Sequence, residues 1–140
     1  MFSIRKIRLS FFFFILSFVH AGLMDAKIIE VKASHGNPIT VAVASAVDGD
    51  TIKVYPGLYK EANILITKSL YLLGIDQPVL DGEFKHEIFT IAASGVTING
   101  FKIINTGRSS MEDKAAIKCL DANNVNILSL IHISEPTRPY

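Results

Sequence analysis

With 140 residues the chain has room for one domain at most. A formal charge of +1 with no basic run excludes the electrostatic footprint of a nucleic-acid binder. Its single cysteine, Cys119, excludes an intrachain disulfide, so any fold must be held by packing alone.

The first distinct segment is N-terminal. Arg5, Lys6 and Arg8 precede an uncharged run over residues 9–19, LSFFFFILSFV, and Val19-His20-Ala21 offers a small-residue exit. A basic start, an apolar stretch of about 7–15 residues and a small-residue site are the marks of a secretory signal. A retained anchor is the competing reading, but this run is short of the roughly 20 residues a hydrocarbon core requires. Residues 1–21 are therefore assigned to a signal peptide, with cleavage after Ala26 as an alternative, and the mature protein to the periplasm or exterior, without membrane attachment. Removal of Arg5, Lys6 and Arg8 from 14 Lys and Arg, against 13 Asp and Glu, leaves a balance of −2.

Residues 27–31 (KIIEV) predict a short strand. Asn37-Pro38 then predicts a helix start, with Asn37 as N-cap and Pro38 at the first helical position. Ile39, Ala42, Val43, Ala46 and Val47 share one helical face, although the alternation of Ile39, Val41 and Val43 keeps a strand in competition. Residues 48–61, DGDTIKVYPGLYKE, set the grammar for everything downstream. A turn at Asp48-Gly49-Asp50 leads into a strand over 51–55, and Pro56-Gly57 turns the chain again. Aliphatic runs follow at 64–66, 70–73, 79–80, 88–91, 96–98, 101–104, 116–119 and 125–127, punctuated by glycine or asparagine. Comparable runs return after 26 residues (Leu70 to Val96) and 29 residues (Val96 to Val125), a spacing typical of repeat architectures.

Two all-β architectures compete for this pattern. In a sandwich, Asn99-Gly100 would be a hairpin turn joining 96–98 to 101–104. In a coil of parallel strands the same dipeptide makes a corner between two faces of one rung. Val96, Ile98, Phe101 and Ile103 favour the coil, because inward positions then continue across the corner. The expected inward set is Ile52, Val54, Leu70, Leu72, Val96, Ile98 and Ile103.

Three pieces carry a resemblance: GDTIKVYPGLYKE at 49–61, the ITKSLYLLG…PVLDG run at 66–82, and GVTINGFKIINTG at 95–107. In this order the chain resembles the right-handed parallel β-helix proteins of the pectin-lyase-like class. Within that class it looks most like the NosD-type periplasmic copper-binding family, which serves maturation of nitrous oxide reductase. The resemblance implies an all-β, right-handed solenoid with a short N-terminal capping helix. It also implies a role in assembling the copper centre, with the maturation machinery as partner; copper enters by resemblance alone. The alternative is the N-terminal part of a carbohydrate-active lyase or hydrolase, or of a carbohydrate-binding β-helix. Family members are longer, so the folded domain, 22–127, reads as the first rungs of a larger protein. Residues 128–140 (LSLIHISEPTRPY) break the grammar and resemble translated adapter read-through; a genuine Pro-rich tail is the competing reading.

No catalytic, cofactor or metal residue is assigned. Copper favours imidazole and sulfur ligands, but His35, His86, Met111, Cys119 and His132 show no metal-ligand spacing. Cys119 reads as a small hydrophobe, His86 as part of a charged turn over 83–87, and Met111 as part of a polar excursion over 108–114. Asp48, Asp50, Asp76, Asp81 and Asp121, the candidates for acid chemistry or Ca²⁺, all sit in turns, where aspartate serves the backbone. Asn99, Asn105, Asn123 and Asn124 fit corner positions for the same reason.

Overall fold

The computed structural model describes residues 25–85, 87–107 and 116–133. Among the described residues twelve strands and one helix follow one another. Strand β1 (Ile28–Val31) leads to helix α1 (Pro38–Ser45), and three complete rungs come next. They are β2 (Thr51–Val54), β3 (Leu58–Tyr59) and β4 (Ile64–Ile66), then β5 (Tyr71–Gly74), β6 (Val79–Asp81) and β7 (Phe89–Ile91), then β8 (Thr97–Asn99), β9 (Lys102–Ile104) and β10 (Ile117–Cys119). A further rung is begun by β11 (Asn126–Leu128) and β12 (Ile131–Ile133).

Every strand pairs with its counterpart one rung away, and every pairing is parallel. Three sheets result: β1-β2-β5-β8-β11, β3-β6-β9-β12 and β4-β7-β10. The protein is a parallel β-solenoid. Asn99-Gly100 is a corner, since β8 and β9 belong to different sheets. A hairpin there would have joined them.

Inward side chains stack down the solenoid axis. In the first sheet Ile52, Leu72 and Ile98 lie in register, and all are fully buried. In the second, Tyr59, Leu80 and Ile103 align, and in the third Ile64 lies on Phe89 and Ile66 on Ile91. Phe89 and Phe101 meet edge to face across the core at 5.9 Å, the favoured geometry for an aromatic pair. Each such aliphatic or aromatic side chain contributes about 1.5–3 kcal/mol on burial. All seven residues expected to point inward are buried. Corners are equally close-packed. A Cβ on Gly74 would collide with the Gly100 carbonyl of the next rung, so glycine stands in both layers of that corner.

The helix forms as the Asn37-Pro38 signal predicts, but two details differ. Asn37 makes no side-chain cap hydrogen bond; another residue, described below, takes that role. Ile39, Ala42, Val43 and Ala46 are buried, whereas Val47 is exposed, because the helix stops at Ser45 and the chain is already turning toward Asp48. A second difference lies at the other end. Residues 128–133, set apart by sequence, continue the solenoid as the end of β11 and all of β12, which pairs with β9. The register nonetheless puts His132 below Tyr59, Leu80 and Ile103, where an apolar side chain is the rule. Residues 1–21, which the sequence assigns to a signal peptide as an expectation, and residues 134–140 lie outside the described residues.

Candidate functional site

The stretch 48–61 is the junction between helix and solenoid, and its polar side chains are what lock the two together. Glu61, buried just after β3, reaches the N-terminus of α1. Its Oε1 accepts from the Ile39 N–H at 2.9 Å. Its Oε2 accepts from the Thr40 N–H at 2.9 Å and from Thr40 Oγ1 at 2.8 Å. A carboxylate thus satisfies the first free donors of the helix from 21–22 residues away in sequence. At the opposite end Lys68 Nζ donates to the carbonyl oxygens of Ala44 at 2.9 Å and of Ala46. Glu61 and Lys68 flank β4, so one strand supplies both an anion for the N-terminus and a cation for the C-terminus of the helix dipole. Tyr59, also buried, donates from its hydroxyl to the Tyr55 carbonyl at 2.7 Å, and burial with the Glu61 charge pushes its phenol up.

Asp50 is the second staple. Its Oδ1 accepts from Lys27 N–H and its Oδ2 from Val47 N–H, both at 2.9 Å, tying the start of β1 to the exit of α1. Asp48 Oδ1 accepts from Ser69 N–H at 2.7 Å and joins the same turn to the next corner. The amides of Val47 and Lys27, assisted by the charges of Lys27 and Lys68, hold the Asp50 carboxyl below its ordinary value against partial desolvation. A depressed folded-state value means the stabilisation is complete above the unfolded-state pKa, about 3.9, and drains away as pH falls through the folded value. Asp50→Asn should therefore lower the Tm at neutral pH and flatten its acid limb. Thermal melts of both proteins from about pH 7 to about pH 2 should converge at the acid end. Parallel curves would show that Asp50 is not the titrating staple.

A second group of polar side chains lies at a different corner, where the second sheet passes into the third. There the number of residues between successive strands rises from rung to rung, 60–63, then 82–88, then 105–116, of which 86 and 108–115 lie outside the described residues. The other corners change little. Loops that grow on one side of a rigid stack are where solenoids build their binding surfaces. Asp81 Oδ1 accepts from Glu83 N–H at 2.9 Å and from Asn105 Nδ2 at 3.0 Å, joining two rungs. Glu83 pairs with Lys85 at 2.7 Å, which holds its carboxyl below the usual range, and lies 3.8 Å from Lys60. Thr106 Oγ1 and His132 Nε2 are 3.2 Å apart on the same side. Phe84 is 47% exposed beside them at φ 58, a left-handed conformation that a bulky side chain rarely adopts. Backbone strain of this kind concentrates at ligand clamps and switch regions.

The sequence candidates do not converge. His35 is exposed in the β1–α1 loop, and Cys119 is exposed on β10, at an inward position beneath Ile91. His132 is on β12; His86 and Met111 fall outside the described residues. Asp76, Asp121 and Asn124 are exposed turn residues with positive φ; Asn105, also at positive φ, is half-buried, while Asn99 ends β8. Among the described residues no group of three His, Cys, Asp or Glu side chains could hold a metal ion. Nor is any helix among them long and apolar enough to cross a membrane. Glu61, Lys68 and Phe84 escaped the sequence reading; only the unusual run of PGLYKE pointed toward the first.

Fold and junction together define a helix-capped parallel β-solenoid. Compared with family models, with curated proteins and with solved structures, the chain matches none.

Proposed function

We propose that the chain is the helix-capped module of an exported, right-handed β-helix protein of NosD type that assists copper-centre maturation of nitrous oxide reductase. The observation that supports this reading is the three-motif order, GDTIKVYPGLYKE, ITKSLYLLG…PVLDG and GVTINGFKIINTG, laid out as successive rungs of one parallel solenoid. The module's contribution is a rigid docking face. The buried carboxylates of Asp50 and Glu61 are taken up by backbone amides, which leaves the outward sheet faces and the growing corner for a partner. The test is genetic and spectroscopic. Deleting the gene should leave nitrous oxide reductase deficient in its copper–sulfide centre, and the full chain supplied in trans should restore its visible spectrum and copper content. A fully loaded reductase in the deletion strain would overturn the proposal.

A second reading is supported by the corner around Phe84. An exposed aromatic ring beside Asp81, Glu83, Lys85 and Asn105 combines an apolar platform with hydrogen-bonding groups, as carbohydrate recognition requires. Polysaccharide binding that is lost in Phe84→Ala would favour it over copper maturation. Gene context separates the two as well: a copper reductase and a transporter nearby support the first, a sugar-utilisation locus the second.

A further inference from the structure

We propose that Asn99-Gly100 is a self-modification site, an intramolecular deamidation held shut by the neighbouring rung. Of the asparagines in the chain only Asn99 is followed by glycine. Glycine puts no side chain in the way of its own amide nitrogen, so in an Asn-Gly pair that nitrogen reaches the asparagine side chain most readily. The Gly100 nitrogen bonds to Asn99 Cγ and gives up its proton, the Cγ–NH₂ bond breaks, and ammonia leaves with that proton. Water then opens the resulting succinimide at either carbonyl, giving aspartate or isoaspartate at 99. Water is the one co-reactant, and nothing is oxidised or reduced.

The fold keeps these atoms apart. Gly100 N–H donates to the Leu128 carbonyl oxygen at 3.2 Å, so the nitrogen is aimed at the next rung and keeps its proton. The Asp-Gly corners, which can form the same ring, are locked alike: Gly49 N–H donates to the Ser69 carbonyl at 2.7 Å and Gly82 N–H to that of Ile104 at 3.1 Å. Their carboxylates are also committed, Asp48 to Ser69 N–H, and Asp81 to Glu83 N–H and Asn105 Nδ2. An ionised carboxylate resists attack far better than a carboxamide, which leaves Asn99 the reactive member. Its product has no way back. Isoaspartate routes the backbone through Cγ and adds a methylene at a corner where Gly74 and Gly100 pack too closely for either to accept a Cβ. Either product puts a carboxylate at a half-buried position between Leu73 and Leu128. A brief parting of the rungs that carry β8 and β11 is thereby made permanent.

The test incubates the full chain in mildly alkaline buffer, native and in urea, and follows residue 99 by peptide mass mapping, with ammonia release as a second readout. In urea Asn99 should be modified ahead of every other asparagine, and in the native protein about tenfold more slowly or less. Ile127→Ala thins the contact between β11 and β8 at a side chain already 42% exposed, and it should raise the native rate about tenfold. Glu61→Ala, which loosens the far end, should leave that rate unchanged. Should Ile127→Ala fail to fold, hydrogen exchange on the parent protein carries the same expectation. In low urea, Gly100 N–H exchange and Asn99 modification should rise together, before exchange at Leu72. Equal rates in the native and unfolded chain, another asparagine modified first, or an Asn99 that stays intact in urea would each overturn the proposal. So would a folded Ile127→Ala with the parent's rate, a rate raised equally by Glu61→Ala, or modification that does not track Gly100 exchange.

Discussion

Ile98→Asp should unfold the solenoid at temperatures where the parent protein is fully native. Ile98 has no accessible surface and lies in register between Leu72 and Ile127, with Val96 and Phe101 buried on the same rung. Among the described residues the buried polar side chains are Asp50, Glu61 and Thr90. Asp50 and Glu61 are already committed to backbone amides, and Thr90 donates to Asn63 Oδ1 at 3.0 Å. A carboxylate at 98 would find no comparable partner. It must be buried as a charge, protonated at neutral pH, or expelled with its strand, at a cost of about 5 kcal/mol. Domains of this kind hold roughly 5–15 kcal/mol in total, so one substitution removes much of the margin. Ile98→Val, which removes one methyl from the same stack, should cost only about 1 kcal/mol. Thermal melts followed by circular dichroism separate the two. An unchanged midpoint for Ile98→Asp would mean that β8 faces the other way.

That inward face was legible because a strand's side-chain period is local. Val96, Ile98, Phe101 and Ile103 alternate within eight residues, and the shared phase across Asn99-Gly100 is enough to choose a corner over a hairpin. Strand positions followed from the same signal, with starts displaced by one residue at Lys27, Leu70, Ile88, Val96, Phe101, Ala116 and Val125. The helix start was legible from Pro38, but its cap was not. Asn37 is the residue local rules select, whereas Glu61 reaches the same amides from a neighbouring rung. A contact made across a rung has no sequence period to reveal it. Asp50 was read as a turn residue for the same reason: one of its two bonds is local, to Val47, and the other is to Lys27, 23 residues away. Phe84 offered no signal at all. An aromatic in a charged turn reads as an incidental exposure until the backbone φ is known.

Glu61→Ala should detach the helix cap. The substitution strips the acceptor from Ile39 N–H, Thr40 N–H and Thr40 Oγ1, and the first of these belongs to a fully buried residue. Water cannot replace a carboxylate there without opening the α1–β4 contact. Losing the anion also removes the favourable end of the helix dipole, so the combined cost should be about 3 kcal/mol. Glu61→Gln keeps one carbonyl acceptor but turns an amide NH₂ toward a backbone donor, and it should fall between the two. Lys68→Met, at the more exposed end, should cost about 0.5–1 kcal/mol. The losses in Glu61→Ala and Thr40→Val should not add, because both break the same hydrogen bond. Amide exchange gives the sharper readout. Protection at Ile39 and Thr40 should fall in Glu61→Ala well before protection at Leu72 or Ile98, since a solenoid can lose its cap while the inner rungs persist. With the cap loosened, the edge of β4 is free to pair, and the variant should aggregate at concentrations the parent protein tolerates. Uniform loss of protection across helix and rungs would show that cap and solenoid unfold as one unit. A stability change below about 0.5 kcal/mol would show that Glu61 is not the cap.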